Sequence, residues 1–200
     1  VVNPAEIPGQ VGEAWAMSDR HYGYGLPIGG VFATDINHGE NGGAISPGAV
    51  GFDINCGVRV LALEATIDDI PNIKKLGGRM AGRIPAGASG KGGLDIDMPQ
   101  IRALTEGGAQ AAVEMGIGFD EDLSSLESNG LLEVEDATLS SRALERGLRA
   151  LGTLGSGNHF LELQSVEKLV DEETAKHWGL YEGQLLAMIH SGSRGLGHHV

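Results

Sequence analysis

Glycine falls along this chain in five dense clusters: HYGYGLPIGG (21–30), HGENGGAISPGAVGFDINCG (38–57), PAGASGKGG (85–93), GTLGSGNH (152–159) and HSGSRGLGHH (190–199). The total is 33 glycines in 200 residues, more than twice the usual share of about 7%. The clusters follow no fixed period, which excludes collagen and solenoid architectures. Each is a loop at which backbone can approach a ligand closely.

Between the clusters the pattern reads as mixed α and β. Residues 58–64 (VRVLALE), 159–166 (HFLELQSV) and 184–190 (QLLAMIH) have strand character, the first two alternating and the last a buried run. Residues 98–116 and 139–151 read as helices, with Pro99 near the start of the first and Ser140 or Ser141 available to cap the second. Residues 119–138 read as an acidic surface connection with room for a short helical turn. No Pro- or Ser-rich linker divides the chain, and 41% hydrophobic content suffices for one sizeable core.

The formal net charge of −13 argues against a non-specific nucleic-acid coat protein, while leaving room for a focused basic pocket. The carboxylates gather in residues 120–135 and 162–173, so the glycine-rich stretches stay free enough of negative charge to tolerate anions. One cysteine, no run of eighteen apolar residues and an N-terminus without a basic region followed by an apolar run together fit a reducing cytoplasm.

That single cysteine, Cys56, stands in GFDINCGVR between Asp53 and Arg59. A lone cysteine is ordinarily a small buried hydrophobe. Here Asp53 and Cys56 flank a two-residue turn, His159 opens one predicted strand and His190 closes another. Carboxylate, thiol and two imidazoles, all in glycine-rich frames, make a metal site the better reading. The alternative is a nucleophilic Cys56 with His159 or His190 as base. Arg59 favours a thiolate in either case, but Asp53 opposes one unless a cation sits between them.

The phosphate-binding signals are weaker. PAGASGKGG is not a Walker loop, because that pattern needs Gly at position 85 and Ser or Thr at 92, where the chain has Pro85 and Gly92. GSGNH and GSRGLGH can cradle anions through successive backbone N–H groups, and Arg194 adds a guanidinium suited to phosphate.

Four stretches together resemble the RtcB-type RNA-splicing ligases: HYGYGLPIGG (21–30), SPGAVGFDINCGVR (46–59), GTLGSGNHFLE (152–162) and IHSGSRGLGH (189–198). Weaker similarity at RIPAGASGKGG and SRALERG extends the match from about residue 10 to the end. The resemblance implies a GTP- and Mn²⁺-dependent ligase, active in tRNA splicing and RNA repair, that joins RNA 2′,3′-cyclic phosphate or 3′-phosphate ends to 5′-hydroxyl ends. It implies Asp53, Cys56, His159 and His190 as metal ligands, with the Cys56 thiolate bridging two ions. It further implies Asn158, His159, Phe160, Leu161 and Glu162 as a guanylate-binding segment, and Arg194 as a contact to RNA phosphate. Ligand softness by itself would select zinc or iron for thiolate and imidazole; manganese comes from the resemblance.

The fold so implied is α+β, with mixed β-sheets flanked by helices and a metal-lined cleft. Residues 1–200 are expected to form part of a single catalytic domain whose C-terminal portion lies outside this sequence, together with a further ligand histidine and the guanylylated histidine. No catalytic nucleophile is therefore assigned in this chain, and His198 and His199 are given no role. A partial domain of this kind is expected to leave apolar surface uncovered. RNA, GTP and an activating protein are the partners the resemblance suggests, with no membrane association.

The sequence departs from the family pattern at MSDRHY, with Ser18, Arg20 and Tyr22 where proline, valine and tryptophan are usual, and at Ala150 in place of a common glutamine. Two other readings are a metal-dependent phosphoesterase or hydrolase using the same ligand set, and a non-catalytic nucleotide- or RNA-binding module.

Overall fold

The computed structural model describes residues 6–23, 26–40, 42–49, 51, 53–87, 93–132 and 139–199. In chain order the elements are β1 (Gln10–His21), β2 (Ile28–Thr34), β3 (Gly57–Thr66), α1 (Ile73–Arg83), α2 (Met98–Glu114), α3 (Asp120–Leu123), α4 (Ser141–Ala150), β4 (Phe160–Ser165), α5 (Glu172–His177), β5 (Gln184–Ser191) and α6 (Arg194–Gly197). The fold class is α+β, as the resemblance implies. Among the described residues both sheets are antiparallel, one a two-stranded hairpin of β1 and β2, the other three-stranded in the order β3-β5-β4.

The three strands read from sequence form the second sheet, and its register builds the site. Gly57 pairs with Ser191 and Val58 with His190 on one side of β5, while Phe160 pairs with His190 on the other. The starts of β3 and β4 therefore lie beside the end of β5. Cys56 and His159 each immediately precede their strand, so three residues remote in sequence emerge at one end of one sheet.

Both long predicted helices are present, the first interrupted by a kink at Gly108, where φ is 58° and ψ −143°. Asp97 caps α2 by accepting from the Gln100 N–H at 2.9 Å, and the Gln100 side chain accepts from the Asp97 N–H at 2.9 Å, a reciprocal capping box. Ser140 caps α4 by accepting from the Ala143 N–H at 3.1 Å. Helix α4 buries Ala143, Leu144 and Gly147 along one face, and Gly147 lies under Ile101 of α2 and Leu196 of α6. Ile101 and Leu144 are fully buried at this junction. The acidic connection contains α3 and a turn over Glu127–Gly130 with Ser128 and Asn129 in the left-handed region; residues 133–138 of that expectation lie outside the described residues, as do residues 88–92 of PAGASGKGG.

The exposed area is 14357 Å², against about 8,900 Å² for a compact monomer of 20.8 kDa. Trp15, Met17 and Val31 on the hairpin and Val60 and Leu61 on β3 all stand exposed. Among the described residues no helix is long and apolar enough to cross a membrane.

Candidate metal centre

A tight turn presents the first two candidate ligands. The Cys56 N–H donates to the Asp53 carbonyl at 3.0 Å, with Asn55 between them in the left-handed region at φ 58°. Asn is among the few residue types that tolerate this conformation. The Cys56 Sγ then lies 3.4 Å from His159 Nε2 and 3.1 Å from His190 Nε2. The ligand atoms of Cys56, His159 and His190 all fall within 4.8 Å of one another. Asp53 meets this trio at His159, its Oδ2 lying 3.2 Å from Nε2.

The protonation of His159 follows from its other nitrogen. Nδ1 lies 3.2 Å from the Leu154 carbonyl, which can only accept, so Nδ1 carries the proton and Nε2 presents its lone pair. Burial lowers the pKa of His159 from its ordinary value; the Asp53 carboxylate opposes this, while Arg194 and His190 add to the lowering. In the neutral ring Nε2 therefore turns its lone pair toward the Asp53 carboxylate and the Cys56 sulfur, and the contact with Asp53 is an ion pair only when the ring is protonated. Carboxylate oxygen, imidazole nitrogen and sulfur grouped in this way are donors that a cation can bring together.

His190 is the most enclosed of the four at 2% exposure. Its ring meets Phe160 edge to face at 5.4 Å and lies 5.5 Å from the His159 ring. Asp53, Cys56 and His159 open onto a cavity of about 1060 Å³, whereas His190 sits behind them and does not line it. The same cavity is lined by Arg146 and Arg149 of α4, Arg194 of α6, and His198. A focused basic surface is therefore present in a chain of net charge −13.

Of the segment expected to bind guanylate, Asn158 and His159 line the cavity and Phe160, Leu161 and Glu162 do not. Phe160 packs on His190, and Glu162 accepts from Gln164 Nε2 at 2.9 Å along β4. Arg194 lines the cavity with its Nη1 buried and unpartnered. Arg59 is exposed and donates to the Val58 carbonyl at 3.2 Å. Of the positions where the sequence departs from the family pattern, Tyr22 and Ala150 also line the cavity.

Sequence reasoning missed the supporting groups. The Leu154 carbonyl accepts from His159 and also from the Ser191 hydroxyl at 2.9 Å. Asp53 Oδ1 accepts the Arg194 N–H at 2.7 Å and the Ser193 hydroxyl at 3.1 Å. A main-chain carbonyl leaves no trace in residue identity, and nothing in residue type separates Ser191 and Ser193 of the HSGSRGLGHH stretch from ordinary loop serines.

An oxygen, sulfur and nitrogen donor set able to hold a metal ion stands beside an arginine-lined cavity. The sequence model of the family described as tRNA-splicing ligase RtcB matches residues 1–200, and the chain belongs to that family. It is 46% identical over 200 residues to a tRNA-splicing ligase RtcB of Thermococcus kodakarensis, covering 99% of this chain and 41% of the relative. It is 46% identical over 186 residues to the one of Aeropyrum pernix, covering 92% and 38%. An RNA-splicing ligase RtcB of Mycobacterium tuberculosis is 46% identical over 204 residues, covering 100% and 46%. The chain thus spans about two fifths of the length of these relatives.

Proposed function

We propose that residues 1–200 contribute the metal centre and an RNA-facing wall to a GTP-dependent RNA ligase. The enzyme joins 2′,3′-cyclic phosphate or 3′-phosphate ends to 5′-hydroxyl ends in tRNA splicing and RNA repair. The observation that carries the reading is the convergence of Cys56, His159 and His190, with Asp53 against His159, in a chain of this family. The donor chemistry fits a divalent cation, since imidazole nitrogen, thiolate sulfur and carboxylate oxygen are all metal-ligating atoms and those of Cys56, His159 and His190 lie within 4.8 Å of one another. Cys56, His159, His190 and Asp53 would hold it, and when bound it would polarise a phosphoryl oxygen and neutralise charge there.

Cys56 lies between the two imidazoles, 3.4 Å and 3.1 Å from their Nε2 atoms, where its thiolate would help hold a divalent cation beside either ring; manganese is the cation the family resemblance suggests. Asn158 reaches the cavity beside His159 and is assigned to the guanylate, with the remainder of its segment supporting it from β4. Arg194 holds RNA phosphate in the same cavity. The guanylylated histidine of this reading is none of the seven histidines in the sequence.

The test is ligation of a 3′-phosphate RNA to a 5′-hydroxyl RNA by a family-length protein carrying this segment, with Mn²⁺ and GTP. Replacing Cys56→Ser should abolish joining and lower bound metal measured by mass spectrometry. Undiminished ligation by that variant would overturn the reading.

A further inference from the structure

The turn between β5 and α6 folds back over the Asp53–Cys56 turn and grips it at several points. The Ser193 N–H donates to the Ile54 carbonyl at 3.3 Å, and the Ser193 hydroxyl contacts the same carbonyl. The Arg194 N–H donates to Asp53 Oδ1 at 2.7 Å, and the Ser193 hydroxyl lies 3.1 Å from the same oxygen, its single proton shared between Oδ1 and the Ile54 carbonyl. The other oxygen, Oδ2, is left facing His159. The two oxygens of Asp53 are thereby given separate tasks.

Resting on the metal-centre reading above, the geometry points to Ser193 as a positioning residue that fixes the Asp53 carboxylate so that Oδ2 is presented to a divalent cation. A carboxylate free to rotate about its terminal torsion offers either oxygen in a broad range of directions. Tying Oδ1 to two donors removes that freedom before any cation arrives, and groups that orient ligands in this way govern metal affinity nearly as strongly as the ligands. The chain makes room for the hydroxyl. A Cβ at position 197 would stand only 2.0 Å from Ser193 Oγ, so the serine can sit there because residue 197 is glycine. The Arg194 N–H reaches Oδ1 because Arg194 adopts φ 53°, a conformation a non-glycine residue holds only where its surroundings enforce it.

The test is cobalt(II) binding to the purified protein, read from the visible absorption of thiolate-bound cobalt, with folding followed by circular dichroism. Ser193→Ala should weaken cobalt binding about tenfold, and Ser193→Thr, which keeps the hydroxyl, should restore it. In an Asp53→Ala background, Ser193→Ala should cost nothing further, because the residue acts through Asp53. Should Ser193→Ala fail to fold, Ser193→Gly, which also removes the hydroxyl, takes its place in the same comparison with the same expected loss. Unchanged affinity on replacing Ser193, or an equal loss with Asp53 already removed, overturns the assignment and leaves the metal centre standing. Failure of the unsubstituted protein to bind cobalt overturns both.

Discussion

The Cys56 Sγ lies 3.1 Å from the Nε2 of His190 across 134 positions of sequence. Antiparallel pairing brings them together, because the start of β3 must lie beside the end of β5 once Gly57 pairs with Ser191. A thiol in this position has imidazoles on two sides, and removing the sulfur removes the only soft donor of the set. Cys56→Ser should therefore weaken zinc or cobalt binding by more than about tenfold, measured by competition with a chromophoric chelator. The fold should persist, since serine is nearly isosteric. Equal affinity in the two proteins would place the cation away from this trio.

Gly155 separates the arginine from the histidine. Its φ is 105°, and an added Cβ would stand 1.8 Å from Arg194 Nη1 and 2.6 Å from His159 Nδ1. Gly155→Ala should cost about 1–3 kcal/mol from backbone strain alone and should also displace the His159 ring from the Leu154 carbonyl. Urea unfolding measures the first effect. Metal affinity measures the second, and the variant should lose both; wild-type values for stability and metal binding together would show that the loop relaxes freely.

The three strands of the site sheet and the two longest helices were legible because their signals are local. Alternation marked 58–64 and 159–166, Pro99 marked the start of the first helix and a capping serine that of the second; Asp97, which caps the first, was not singled out. The hairpin of β1 and β2 was not legible because its pairing shifts register between Val11 and Trp15 and again between Ala16 and His21, and each irregularity interrupts the period of two. Helix α1 was hidden by Gly77, Gly78 and Gly82 within eleven residues, a composition that opposes helix by propensity. The four candidate ligands were legible through their glycine-rich frames. The division of Asp53 between His159 and the Ser193 turn was not, because it depends on how two loops meet across the sheet end.

Leu144 holds the helical layer to the site. It is fully buried on α4, whose Gly147 packs beneath Ile101 of α2 and Leu196 of α6. Because α6 begins at Arg194, α4 also sets the height of the basic wall. Leu144→Ala should cost about 2–5 kcal/mol, read as a lower urea midpoint with little change in the slope. A loss below about 1 kcal/mol would mean that the α2–α4–α6 junction is not a packed core.

Arg194 offers the sharpest separation between the metal and RNA roles. Its Nη1 is buried and unpartnered, and a buried donor left unsatisfied costs about 1–3 kcal/mol. The Arg194 guanidinium also lines the cavity, and an anion that drew Nη1 out of its buried position would give that donor a partner. Arg194→Ala in a family-length protein should weaken binding of a 3′-phosphate RNA and reduce the slope of log affinity against log salt by about 1. Guanylylation measured with labelled GTP should stay near the unsubstituted level, because that step requires no RNA. RNA affinities taken by fluorescence anisotropy across a salt series decide the matter. An unchanged salt slope with loss of guanylylation would move Arg194 from the RNA to the nucleotide.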